Sequence, residues 1–414
     1  MDKSSEALSS LSSTTRVISA LAGGEHSLVL TSEGKVYSAG ACGLGWCRNM
    51  KMLTNLFGWR PVQIPTSERV ISIYPSYYHN LLISSSGKLY TWGCGTFLDG
   101  KNDGCIPALG RPTLEDLGAL PKHINLTSST SSSLKAVQIT GGAYHSAVLA
   151  DDGKIYTFGA AQLGQLGRPV SDGKTTDSSG LPIDPTPLPV EGIPSNEEVT
   201  KISSGFYNTL AITLSGELYC TGENQNRQCG KQQGAMNLYG LSKVSELEGE
   251  IVRDAKGGYC HTLVLTKGGK VFSLGCGDDG QRGDRGEGDA ERETITPVIL
   301  PDNDSDHVTE IAAGANHSLL LTATGKVYAF GSNEYGQCGL GVSSESERES
   351  GSLLSPRLMK LSTPISSVSA GYAHSVMRDK EGSVYMCGQN ESGQLGLGEE
   401  TGDVLQPRQV KIDS

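Results

Sequence analysis

The chain is expected to be all-β, a single seven-bladed β-propeller, and three features of its sequence predict this. A small-residue turn that ends in His or Asn and opens an apolar run occurs seven times, at His26, His79, His145, Asn208, His261, His317 and His374. Eight residues after each anchor stands a glycine (Gly34, Gly87, Gly153, Gly216, Gly269, Gly325, Gly382). Six further on stands another (Gly40, Gly93, Gly159, Gly222, Gly275, Gly331, Gly388), and neither offset slips. The anchors are spaced by 53, 66, 63, 53, 56 and 57 residues. A period near 50 residues with strand-like segments inside it marks a propeller or a solenoid.

The sixth unit, His317 to Gly331, shows how one repeat folds. Two short runs of β-type residues flank a T-x-x-G turn, where glycine takes φ > 0 without a Cβ clash, so the segment is a β-hairpin. Eleven residues after each anchor comes an aromatic: Tyr37, Tyr90, Tyr156, Tyr219, Phe272, Tyr328 and Tyr385. A ring repeated at one strand position is a packing device between neighbouring units. After the second glycine most units carry a turn such as Asn333-Glu-Tyr-Gly-Gln-Cys-Gly339. A third strand follows, as at Pro297-Val298-Ile299 or Pro407 to Val410, and a fourth apolar strand leads to the next anchor. Four strands per unit is the blade count of a propeller. The terminal strands, residues 16–21 and 406–412, are expected to pair and complete one blade, leaving no open edge. The propeller thus covers 16–412, preceded by a flexible Ser-rich segment, 1–15.

Composition narrows the function. Among 414 residues the net charge is −11, with pI near 5.3. That balance argues against direct nucleic-acid binding, which relies on Lys and Arg neutralising phosphates. The N-terminus lacks the apolar core of a secretory signal and the Arg-rich character of a transit peptide. No apolar run approaches 18 residues, so no membrane association is expected. The ten cysteines suggest neither a disulfide framework nor a zinc signature; Cys229 and Cys338 share one repeat slot and read as small buried apolar residues. A reducing compartment, cytoplasmic and/or nuclear, is the expected location. Six of the eight histidines are anchors, spread round a ring and so unable to share a metal. Gly167 to Thr175 misses the phosphate-loop spacing and Asp278 to Glu293 the calcium-loop spacing. No catalytic constellation, cofactor or metal is expected.

The combination G-x-x-H-[ST]-L-x-L, x-x-G-K-[VL]-[YF]-x-x-G and N-x-x-G-Q-L-G is similar to the repeat of the regulator-of-chromosome-condensation family, over roughly residues 16 to 412. The resemblance implies a seven-bladed propeller. For the family's exchange-factor members it implies guanine-nucleotide exchange on a Ran-like small GTPase. Those members carry a wedge in their second complete unit. Here Trp92 to Ile106 departs from the other units at the same place, which implicates Phe97, Asp99, Asn102 and Ile106. A family acidic position maps onto Glu391. Two other family acids, in the G-x-x-H turns, correspond to Tyr77 and Tyr144, and the family's basic tail has no counterpart. The tryptophans of the family's ultraviolet receptor are absent from these turns. The alternative to exchange is a non-catalytic protein–protein interaction platform.

The residues point to a surface of their own. The two positions before each anchor include Tyr77, Tyr78, Tyr144, Phe206, Tyr207, Tyr259 and Tyr372. They belong to turns that should ring the central channel at one end of the blades. Tyrosine brings much contact area and one hydroxyl at low entropic cost. The expected partner is therefore a small GTPase or another protein, docked on this face.

Overall fold

The structure, a computed structural model, describes residues 15–41, 58–93, 106–111, 120–127, 133–170, 176, 181–230, 234–284, 295–301, 306–341, 351–398, 400 and 402–412. Seven antiparallel sheets of four strands each are formed from consecutive segments. Blade 1 holds β1 (Val17–Ala22), β2 (His26–Thr31), β3 (Val36–Gly40) and β4 (Arg60–Pro61); blade 2 holds β5 (Val70–Pro75), β6 (His79–Ser84), β7 (Leu89–Gly93) and β8 (Lys122–Ile124). Blade 3 has β9 (Ala136–Gly141), β10 (His145–Ala150), β11 (Ile155–Ala160) and β12 (Ile183–Pro189); blade 4 has β13 (Val199–Ser204), β14 (Asn208–Thr213), β15 (Leu218–Glu223) and β16 (Asn237–Lys243). Blade 5 comprises β17 (Val252–Gly257), β18 (His261–Thr266), β19 (Val271–Gly275) and β20 (Ile295–Val298). Blade 6 comprises β21 (Val308–Ala313), β22 (His317–Thr322), β23 (Val327–Ser332) and β24 (Ser352–Leu358). Blade 7 comprises β25 (Ile365–Ala370), β26 (His374–Asp379), β27 (Val384–Gly388) and β28 (Val404–Val410).

The register explains the fixed offsets. Each anchor lies directly opposite its second glycine, as His26 does Gly40 and His317 does Gly331. The fourteen-residue separation is therefore the length of one hairpin. Gly331 has φ 99°, and a Cβ there would fall on the Asn316 carbonyl oxygen and 2.7 Å from His317 Cα. Only glycine fits.

The second strand of each blade is buried almost throughout because sheets cover both its faces. Seven apolar clusters fill the seven gaps between blades. Leu28 and Leu30 of blade 1 meet Val70, Leu82, Tyr90 and Trp92 of blade 2, for example. The repeated aromatics sit in these gaps: Tyr37, Tyr90, Tyr156, Tyr219 and Tyr328 are buried, Phe272 and Tyr385 partly so. A fully buried one contributes about 4–6 kcal/mol of gross burial before entropy is counted.

Closure differs from expectation. The termini do not share a sheet: β1 pairs with β2, and β28 pairs with β27. Blades 1 and 7 are each complete, so the ring is sealed face to face. Val17, Ala20 and Val29 pack with Val376, Met386 and Val410. The Ala22 N–H donates to Ser369 Oγ at 3.0 Å, and His374 Nε2 lies 2.9 Å from Ser27 Oγ. The physical reason is chain order. The inner strand of each blade precedes its anchor, so β1 already has its own partner.

The cysteines also differ from expectation. Cys220–Cys229 and Cys260–Cys276 are disulfides, with Cα–Cα distances of 5.4 and 5.5 Å, while Cys338 and Cys387 are free and buried. Scattered spacing in the chain concealed two pairs that the hairpins bring together.

Candidate protein-interaction face

Strand order places the anchor turns, between first and second strands, and the loops between third and fourth strands at the same end of the propeller. Two rings of bonds fix that end. In the first, a turn amide donates to the next blade: Gly24 to Ser76 O (3.2 Å), Ala143 to Phe206 O (2.9 Å), Phe206 to Gly258 O (3.0 Å), Tyr259 to Ala315 O (3.0 Å), Ala315 to Gly371 O (3.2 Å) and Tyr372 to Gly23 O (3.1 Å). Between blades 2 and 3 the Ser76 hydroxyl donates to Gly142 O instead.

In the second ring each anchor reaches the residue after the next anchor. His26 bonds Asn80 and His79 bonds Ser146, both at 2.7 Å; His145 bonds Thr209 at 2.9 Å; His261 bonds Ser318 and His317 bonds Ser375, both at 3.0 Å. Ser146, Thr209, Ser318 and Ser375 each spend their only proton on a carbonyl, such as Gln281 O for Ser318. The imidazole must therefore be the donor, through Nε2–H. Burial pulls these five and His374, which bonds Ser27, down to about 3 to 4, so all six are neutral. The histidine anchors are hydrogen-bonded structural residues. Asn208 breaks the ring: its amide stays beside the Cys220 and Cys229 sulfurs, at 3.8 and 3.9 Å, and Thr262 Oγ1 is buried without a hydrogen bond.

On this rigid base the seven aromatic residues read from the turns converge. Tyr144 contacts Tyr78 (5.0 Å between ring centroids) and Tyr78 contacts Tyr77 (4.2 Å). Tyr77 meets Phe206 at 4.8 Å and Tyr372 at 5.3 Å, across the mouth of the channel. Phe206 and Tyr207 both meet Tyr259, at 5.2 and 5.9 Å. The expected ring is thus a continuous plug, lying over a cavity of about 60 Å³ walled by Gly23, Gly142, Gly205, Gly314 and Gly371. Glycine turns let rings from blades 2, 4 and 7 meet at the axis. Tyr259 and Tyr372 remain 45% and 39% exposed; the other five are half-buried. Burial raises the Tyr77 hydroxyl and pushes that of Tyr207 up to about 12, so both stay protonated donors.

The other expected site residues divide. Phe97, Asp99 and Asn102 lie outside the described residues. Ile106 opens a short 3-10 helix, Ile106–Leu109, whose Leu109 packs beneath Tyr78 and Tyr144. Thr91 Oγ1 donates to Leu109 O and Ser146 Oγ to Ala108 O, at 2.7 and 2.8 Å. The segment leaving the wedge is therefore fastened beside the plug. Glu391 is exposed on the blade 7 loop, next to Ser392, whose hydroxyl donates to Glu25. Within the stretch that misses the calcium-loop spacing, the Asp279 carboxyl is raised by burial and by Asp278 and Glu334; the half-buried Cys260–Cys276 pair was not foreseen from the sequence. Aligning the residue before each anchor and the residue after each second glycine would have found that pair.

No group of three or more His, Cys, Asp or Glu is placed to hold a metal among the described residues. Nor is any helix there long and apolar enough to cross a membrane.

The family model of the RCC1-like domain matches residues 100–414. The chain is 28% identical to the Ultraviolet-B receptor UVR8 of Arabidopsis thaliana over 346 residues, covering 83% of this chain and 70% of the receptor. It is 26% identical to the Regulator of chromosome condensation of Xenopus laevis over 373 residues, covering 85% and 78%. Among solved structures, yeast RCC1 (Prp20) bound to Kap60 superposes with a TM-score of 0.70 at 22% identity, covering 97% of this chain and 84% of that one. At that identity the superposition speaks to the fold.

Proposed function

The chain belongs to the RCC1-like domain family, and from that premise we propose that it is a guanine-nucleotide exchange factor for a Ran-like small GTPase, docked on the aromatic face. One observation carries the reading: seven aromatic side chains from five blades form one surface, and the helix leaving the wedge-like insertion packs directly under it. Family membership and the likeness to the Regulator of chromosome condensation support the choice of partner. Exchange of this kind needs no covalent chemistry. A surface that binds the nucleotide-free GTPase more tightly than the loaded form shifts the population toward release.

The second reading is a platform that binds a protein without promoting exchange. Tyr77 and Tyr144 favour it, because they occupy places where the family's exchange factors carry acids. Release of fluorescent GDP from Ran-like and other small GTPases separates the two. Faster release supports exchange; binding without faster release leaves the platform; neither, at micromolar protein, removes a Ran-like partner altogether. In the first two cases Tyr77→Ala with Tyr144→Ala is expected to weaken the effect roughly tenfold or more. An unchanged double variant would move the site elsewhere.

A further inference from the structure

Cys260 and Cys276 close the open end of the blade 5 hairpin, one residue beyond the His261–Gly275 pair. The Cys276 amide donates to Cys260 O at 2.9 Å. Both residues are half-buried, whereas Cys220 and Cys229 are fully enclosed. Cys338 and Cys387 are enclosed too, and burial pushes the Cys387 thiol up to about 12. Thiol–disulfide chemistry needs access and thiolate character, and among the described cysteines this pair alone belongs to residues with exposed surface.

The site is built as well as accessible. In blades 4, 6 and 7 the turn glutamine donates its Nε2 to the residue in the slot of Cys276: Glu223 (3.3 Å), Ser332 (3.1 Å) and Gln389 (3.5 Å). Gln281 does the same to Cys276 Sγ at 3.2 Å, with Cys260 Sγ at 4.0 Å. A donor on sulfur favours the thiolate. Cys260 follows Tyr259, whose ring rests on Phe206 and Tyr207 and whose own face is open.

We propose that Cys260–Cys276 is a reversible oxidation site that ties the Tyr259 turn to its hairpin when oxidised and loosens it when reduced. On oxidation by hydrogen peroxide, the two thiols lose two protons and two electrons, an S–S bond forms, and the peroxide leaves as two waters. Oxidation by glutathione disulfide instead releases two molecules of glutathione. Reduction by a thiol runs through a mixed disulfide. The consequence for partner binding rests on the aromatic face being the docking surface; the oxidation and its effect on the turn do not.

The test equilibrates the whole chain in buffers of stepped glutathione to glutathione disulfide ratio. Free thiols are then blocked and assigned by peptide mass, and amide hydrogen exchange is followed at 257–261. Cys260 and Cys276 are expected to convert together, with Cys220–Cys229 oxidised and Cys338 and Cys387 thiols throughout. Exchange at the turn should quicken about fivefold or more on reduction. Cys260→Ser with Cys276→Ser should hold the turn at its reduced rate in every buffer. A pair that never converts, or a conversion that leaves exchange at 257–261 unchanged, overturns the proposal. A chain inert toward every GTPase would overturn the proposed function and leave this result standing.

Discussion

Ser318 and Thr262 occupy the same slot in neighbouring blades, and their surroundings set opposite consequences for removing a hydroxyl. Ser318 accepts from His261 and donates to Gln281 O. Truncating it strands a buried imidazole donor and a carbonyl. Thr262 Oγ1 is buried with nothing bonded to it because Asn208 falls short. Ser318→Ala is therefore expected to cost about 1–3 kcal/mol, and Thr262→Val to be neutral or stabilising. Urea unfolding of the two variants checks this; equal losses would mean that the anchor ring carries no energy. The anchors were readable as structural residues because they recur at one offset. Their bond partners were not, since five lie 54 to 67 residues away and that of His374, Ser27, lies 347 away.

Hairpins were the most legible elements, because register, turn and glycine requirement all reside within about fifteen residues. The repeated aromatic at the third strand belongs to this level too, yet its seven copies are not equivalent. Tyr328 is 3% exposed in the gap between blades 5 and 6, whereas Tyr385 only borders its cluster. Tyr328→Ala is expected to lose about 3–5 kcal/mol and Tyr385→Ala clearly less; thermal unfolding at one pH ranks them. The wedge segment was legible only as a departure from the repeat. The helix that secures its end under Tyr78 and Tyr144 has no periodic pattern to betray it.

Over the molecule as a whole, six neutral buried histidines link the blades around one ring. Their folded-state values, about 3 to 4, lie below the ordinary 6.5. Below 6.5 the unfolded chain binds more protons than the folded one. The stability they confer is present above that value and drains away as pH falls toward 4. The urea midpoint should drop steeply between pH 6.5 and about 4; a flat profile would contradict neutral anchors. Closure by packing makes a second prediction. Because blades 1 and 7 are complete sheets, a circular permutant opened between Lys360 and Pro364, with residues 412 and 15 joined by a short linker, should fold with a melting temperature within about 8 °C of the parent. Failure of that permutant would show that the native ends do more than meet.

Blade number, hairpin register and the positions that need glycine follow from repeats short enough to be complete in one stretch of chain. The identities of the rim tyrosines follow from the same alignment. The joining of those rings over the axis and the sealing of blade 1 against blade 7 required the folded ring. Each depends on distances that arise only when separate sheets are brought together, and no local period encodes them.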